Sequence, residues 1–267
     1  MFYQGVLRKM ETEFSKPVQY YLVFENDFLN MNQLLNKTLT FEFVKNQCLS
    51  CSLDKPIYRQ GFCKSCFFDI PQAADWIMKP ELSKAHLNIE DRDLDYERQV
   101  QLKPHIVYLA NSSNVKVGVT RKTQVPTRWI DQGAHEALEI LEAPNRFLAG
   151  ITEVALKNHV ADKTNWRKML KTNPETLEEV ESLMVWRDKL KAFIPEEAQS
   201  YFITADKETS IEFPVLYYPE KPKSLNFSKT KNYKGVLKGI KGQYLIFEDN
   251  TVCNIRGNEG FVVRLTI

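Results

Sequence analysis

The sequence predicts an α+β protein with small β units at both ends, a four-cysteine module after the first of them, and a central mixed α/β domain. Three observations predict it. Residues 1–45 and 201–267 carry short runs of β-branched and aromatic residues separated by turn signals. Four of the five cysteines fall in two closely spaced pairs. Between about 103 and 200 the pattern changes to two strands, a helix, a strand and then several helices. A length of 267 residues exceeds the ~100–200 of one domain. The expected boundaries are 1–47, 48–70, 71–102 (a connecting segment), 103–200 and 201–267.

The first β unit rests on Gly5-Val6-Leu7, on Val18 to Phe24, and on Leu39 to Val44. The last rests on short strands punctuated by Lys241-Gly242-Gln243, Asp249-Asn250 and Arg256-Gly257-Asn258. Tyr3-Gln4-Gly5-Val6-Leu7 is echoed at Tyr233-Lys234-Gly235-Val236-Leu237, so the two ends are expected either as separate small barrels or as one shared sheet. A composition of 43% hydrophobic and 26% charged residues is that of a globular chain. No run approaches the roughly 20 apolar residues of a membrane span, and Met1 to Gly5 lacks the features of a secretory signal. A cytoplasmic location is the expectation.

The module is Cys48-Leu49-Ser50-Cys51 followed by Cys63-Lys64-Ser65-Cys66. Two such steps aim four thiolates at one point, which suits tetrahedral Zn²⁺, and four protein ligands leave no open position. The zinc ribbon is therefore read as structural, with Gly61 providing a tight turn before the second pair and Lys64 offsetting thiolate charge. Phe62, Phe67 and Phe68 are read as the miniature core of this module in preference to a base-stacking surface. Cys253 is read as a small buried hydrophobe, and His86, His105, His135 and His159 lack ligand spacing to one another.

The net charge of +2 conceals separated runs. Seven lysines and no acidic residue lie between Lys221 and Lys241, and four basic residues lie between Lys116 and Arg128. Each run is equally readable as a solvated surface or as a face for phosphate.

In the central domain, His105 to Ala110 and Val115 to Thr120 form an expected hairpin around Asn111-Ser112-Ser113-Asn114. Alternation places Tyr108 and Lys116 on one surface, with Gly118 marking the close approach of a backbone or a phosphate. Pro126 starts a helix, so Arg128 sits in a first turn where a cation opposes the helix dipole unless an anion is bound. Asn145 caps a further helix on which Phe147, Ile151 and Val154 make an apolar stripe, while Ala149 and Gly150 leave room beside Glu153. Arg121, Lys122, Lys163, Arg167 and Lys168 are the candidate nucleic-acid contacts.

Val107-Tyr108-Leu109, Lys116-Val117-Gly118, Arg128 and Glu153 occur in the order of the GIY-YIG nuclease site, and the segment Val107 to Leu170 resembles that superfamily. Its closest likeness is the divergent branch in which a lysine, here Lys116, replaces the second tyrosine. The whole chain also resembles an uncharacterised bacterial family with a cysteine ribbon ahead of this domain. The resemblance implies that Tyr108 orients or deprotonates water, Arg128 steadies the phosphate, Glu153 holds Mg²⁺ or Mn²⁺, and Asn165 closes the site. Lys116 is then either a base of lowered pKa or a phosphate clamp. Two functions follow as expectations: metal-dependent phosphodiester cleavage, or DNA/RNA binding without turnover by a scaffold that docks on a machine such as the ribosome or RNA polymerase.

Overall fold

The computed structural model describes residues 1–160, 165–176, 181–204 and 207–267. The strands are β1 (Phe2–Val6), β2 (Glu11–Glu13), β3 (Gln19–Val23), β4 (Phe28–Asn30), β5 (Thr38–Asn46), β6 (Ile57–Arg59), β7 (Phe62–Cys63), β8 (His105–Asn111), β9 (Val115–Arg121), β10 (Glu136–Ala143), β11 (Thr209–Ser210), β12 (Lys223–Leu225), β13 (Asn232–Lys241), β14 (Tyr244–Phe247), β15 (Thr251–Asn254) and β16 (Phe261–Thr266). The α-helices are α1 (Lys64–Asp69), α2 (Asp75–Met78), α3 (Leu94–Gln101), α4 (Thr127–Asp131), α5 (Arg146–Lys157), α6 (Trp166–Lys171) and α7 (Leu183–Leu190). They fall into two compact units, a β unit of residues 1–68 with 211–267 and an α/β unit of residues 69–210. No helix among the described residues is long and apolar enough to cross a membrane.

Both chain ends contribute to one seven-stranded sheet of order β1-β16-β5-β13-β14-β15-β12, so the shared-sheet alternative is the one adopted. Along β5 the side chains alternate as strand geometry requires, with Leu39 and Phe41 buried and Thr38 and Thr40 turned outward. Phe41 meets Phe227 at 5.6 Å and Phe247 at 6.4 Å, which makes it the centre of the β core. Burying such a ring contributes roughly 1.5–3 kcal/mol. Gln243 joins the two ends: its Oε1 accepts from Met10 N at 2.7 Å and its Nε2 donates to Met10 O at 3.1 Å. The turn that presents it needs Gly242 at φ 62°, a left-handed value that favours glycine.

The α/β unit is built on a four-stranded sheet of order β11-β10-β8-β9. Central β8 is buried along its whole length, which explains a run that is nearly continuously apolar. Val107, Leu109 and Val117 share a core with Leu138, Ile140, Ala149 and Leu156. Asn145 caps α5 by accepting from Leu148 N at 2.9 Å.

The apolar stripe expected on α5 is rotated. The buried residues are Arg146, Ala149, Gly150, Thr152, Glu153 and Leu156, whereas Val154 is exposed. The cause is the 3₁₀ turn Pro80–Leu82, which lies directly on the helix: a Cβ at Gly150 would stand 2.3 Å from Glu81 N and 2.4 Å from the Pro80 carbonyl carbon. Gly150 therefore makes room for backbone and not for an ion or a phosphate. Gly118 is also reassigned, because a Cβ there would stand 2.7 Å from the Tyr108 hydroxyl oxygen. Finally, α4 has only five residues, so Arg128 lies as much in its last turn as in its first. The dipole argument for a bound anion lapses with so short a helix.

Candidate functional site

The Sγ atoms of Cys48, Cys51, Cys63 and Cys66 lie within 4.8 Å of one another. Zinc–sulfur bonds of ~2.3 Å in a tetrahedron require sulfurs ~3.8 Å apart, so the cluster fits that ion with a small contraction. The local backbone already serves the sulfurs. Cys63 N donates to Cys48 Sγ at 3.3 Å, and the β6–β7 hairpin turns through Gly61 at φ 77°. The Cys63 thiol is held down to about 6, first by the backbone amide of Cys66 and then by the Ser65 hydroxyl. Against the Ser50 hydroxyl, which lowers it, the Cys63 sulfur pushes the Cys66 thiol up to about 11, so without a metal the cluster holds a thiolate beside a thiol, and a metal ligand requires the thiolate form. These four residues are positioned to hold a metal ion, consistent with structural zinc.

The second cluster lies in the α/β unit. The β8–β9 register pairs Tyr108 with Gly118 and Ala110 with Lys116, so Tyr108 and Lys116 share one face of the hairpin. Tyr108 is fully buried; its hydroxyl donates to Gln132 Oε1 at 2.9 Å, and its ring meets Trp129 edge-on at 5.9 Å. Burial pushes the Tyr108 hydroxyl up, while the neighbouring Arg128 acts against that shift and Glu153 adds to it. Tyr108 is thus close enough to sense both Arg128 and Glu153.

Lys116 is 4% exposed. Burial, followed by the Arg128 charge, lowers its ammonium to about 7. At neutral pH a large fraction of this amine is therefore unprotonated, a state that an exposed lysine reaches only near its ordinary ~10.4. Glu153 is nine-tenths buried and receives Lys157 Nζ at 3.6 Å. Burial raises its carboxyl, Lys157 and Arg146 lower it, and Glu81 raises it further.

Four residues of this cluster escaped the sequence reading. Arg146 donates to the carbonyls of Trp76 and Ile77 at 3.1 and 2.8 Å and lies within range of Glu153 and Glu81. Glu81 has a buried Oε2 without a hydrogen-bond partner among the described residues. Gln132 and Lys157 complete the set. Only Lys157, one helical turn after Glu153, carried a signal in the sequence.

The candidate nucleic-acid contacts are less concentrated. Arg121 is half-buried and acts electrostatically on Arg146. Lys122 Nζ donates to both oxygens of Glu142 at 2.8 Å. The Arg167 guanidinium lies 4.2 Å over the Trp166 ring, and Lys168 Nζ donates to Asn114 Oδ1 at 2.6 Å. Asn165 caps α6 through Lys168 N. Lys163 lies outside the described residues.

No curated protein and no solved structure matches this chain at a significant level. A family model described as "Protein of unknown function (DUF2797)" matches residues 36–263, a span that takes in the four cysteines, the charged cluster and most of the shared sheet. The chain belongs to the DUF2797 family.

Proposed function

We propose that this is a zinc-holding, nucleic-acid-binding protein whose α/β unit carries a divalent-metal-dependent phosphodiester-cleaving site of the GIY-YIG kind. The observation that supports it is the meeting of Tyr108, Lys116, Arg128 and Glu153, from β8, β9, α4 and α5, in one electrostatically coupled cluster. Arg128 stands close enough to Lys116 to oppose its charge. An anionic phosphate between them relieves that opposition.

Within this reading Lys116 is the general base, since its amine at about 7 accepts a proton from water at physiological pH. Arg128 holds the phosphate oxygens. Tyr108, fully buried and bonded to Gln132, is a positioning residue for Arg128 and not the base. Glu153 and the orphaned Oε2 of Glu81 are the carboxylate oxygens suited to Mg²⁺ or Mn²⁺. Such an ion, when bound, neutralises charge on the leaving oxygen.

A second reading is binding without turnover. Two observations favour it: the complete burial of Tyr108, and the Lys157 ammonium already seated on Glu153.

Cleavage assays on single-stranded, branched and structured DNA and RNA with Mg²⁺ or Mn²⁺ separate the two. Glu153→Gln is expected to lower the rate by about 100-fold or more. The kcat/KM, which reports the free protein, should rise with pH through about 7 and then level, because the base acts only as the neutral amine. Cutting of none of these substrates, or undiminished cutting by Glu153→Gln, removes the nuclease reading and leaves the binding one.

A further inference from the structure

Around the four cysteines the miniature core expected of Phe62, Phe67 and Phe68 is only partly formed, with Phe62 and Phe67 half-buried and Phe68 exposed. Tyr58 on β6 and Phe67 and Phe68 on α1 pack on one another, with centroid separations of 5.3, 5.7 and 5.4 Å and interplanar angles of 70°, 38° and 90°. Yet Tyr58 is 43% exposed and Phe68 is 57% exposed, with Phe67 half-buried. The packing around the module's turn is supplied instead by Leu49, against which Gly61 fits. The Arg59 guanidinium lies 5.4 Å over the Tyr58 ring. Mutually inclined ring faces held in water beside a guanidinium suit flat, polarisable partners.

Charge decides the polarity of that partner. The β unit contains 17 Lys and Arg against 11 Asp and Glu, a balance of +6, whereas the α/β unit contains 19 against 23, a balance of −4. Zinc on four thiolates would reduce the first figure only to about +4. From Cys48 to Phe68 the basic residues Lys55, Arg59 and Lys64 face a single acidic one, Asp54. The lysine run from Lys221 to Lys241 belongs to the same unit, and all but Lys241 reach solvent. A second cation-aromatic pairing lies nearby in the fold. Lys231 Nζ stands 3.6 Å over Phe43, whose ring meets Phe261 at 5.6 Å, and the preceding Gly260 fits closely against Ile57 and the Gly61 carbonyl of the module.

We propose that Tyr58, Arg59, Phe67 and Phe68 form a stacking platform for the unpaired bases of single-stranded nucleic acid, with the lysines of the β unit attracting its phosphates. Interleaved rings and cations are the means by which sequence-tolerant single-strand binders work, and a duplex keeps its base faces hidden in its own stack. The inference rests on the nucleic-acid reading above and names its substrate as single-stranded. It also places affinity on the unit that does not contain Glu153.

The test uses the full zinc-loaded chain and fluorescence anisotropy with oligo-dT and oligo-U of about 15 nucleotides, beside a mixed-sequence duplex. The double variant Tyr58→Ala, Phe68→Ala is expected to bind the single strands at least ~10-fold more weakly. Duplex affinity, zinc content and the salt slope of single-strand binding should stay as in the parent, since no phosphate contact is removed. Phe68→Trp keeps a ring at the site and should retain affinity, with its fluorescence quenched on addition of oligo-dT. Unchanged single-strand affinity in the double variant, an equal loss for duplex, or no quenching in Phe68→Trp overturns the platform. Absence of binding to either form by the parent at low salt overturns the nucleic-acid reading itself.

Discussion

The β unit and the α/β unit divide the chemistry of this chain in opposite ways. In the β unit the charge is basic and mostly exposed, and the notable aromatics lie at the surface beside the four cysteines. In the α/β unit the net charge is acidic, while the notable charges, Lys116, Arg146 and Glu153, are buried, as is Tyr108. A surface of the first kind attracts a polyanion over a distance of about a Debye length, with little chemical consequence. A cluster of the second kind has weak long-range pull but strongly altered protonation, which is what proton transfer requires. Attraction and chemistry need not reside in the same unit.

The largest effect expected to sharpen this contrast is loss of a metal held by the four cysteines. Structural zinc contributes folding free energy directly, on the order of 10 kcal/mol in small modules. Chelation, or Cys63→Ser, should therefore open residues 48–68 to hydrogen exchange and lower the unfolding temperature of the β unit by roughly 10 °C or more. Amides of β8 and β10 should keep their protection. Equal loss of protection in both units would break the contrast, since it would show that they fold as one.

Gly150→Ala comes next. The added methyl meets the backbone of Pro80 and Glu81, which cannot yield as a flexible side chain would, so a loss of about 1–3 kcal/mol is expected in denaturant melts. The same change shifts Glu81 away from Glu153 and should reduce any Mn²⁺ affinity measured by calorimetry. A neutral or stabilising result, as at an ordinary helical glycine, would show that the turn does not bear on α5.

Lys241 provides the smallest test and brings a buried cation into the β unit. It is 1% exposed, between the Phe213 and Tyr218 rings at 5.8 Å each, and burial lowers it from its ordinary 10.5 to about 8. Between those two values the unfolded chain keeps a proton that the folded chain releases, so stability rises with pH across that window. Below about 8 the penalty for the buried charge is complete. Lys241→Met should accordingly stabilise the protein by about 1–2 kcal/mol at pH 6, with the gain fading towards pH 10.5. A pH-independent loss would show that the ring contacts outweigh the charge.

Much of the local structure was legible because its causes are local. Asn145 caps α5 and the β8–β9 hairpin forms around residues 111–114, as side-chain acceptors and alternation require. The same alternation placed Tyr108 beside Lys116. Glu81 was not legible, since it reaches Glu153 only because a 3₁₀ turn lies on Gly150, and no periodicity encodes a contact so remote along the chain. Gly118 and Gly150 were both recognisable as places of close approach, but what approaches is a tyrosine ring in one case and backbone in the other. The exposure of Phe68 was likewise hidden, because an aromatic residue beside a cysteine pair fits a core and a surface equally well.

The sequence by itself determined the four-thiolate module, the hairpin carrying Tyr108 and Lys116, and the strand-rich ends. Each follows from the spacing of neighbours, and spacing fixes geometry over a few residues. Tertiary structure alone decided that the two ends share a sheet, that the four-cysteine module leaves Tyr58 and Phe68 exposed, and that Lys116 is buried beside Arg128 with its ammonium lowered to about 7. Burial and electrostatic coupling are properties of what surrounds a residue in space, and those surroundings come from distant parts of the chain.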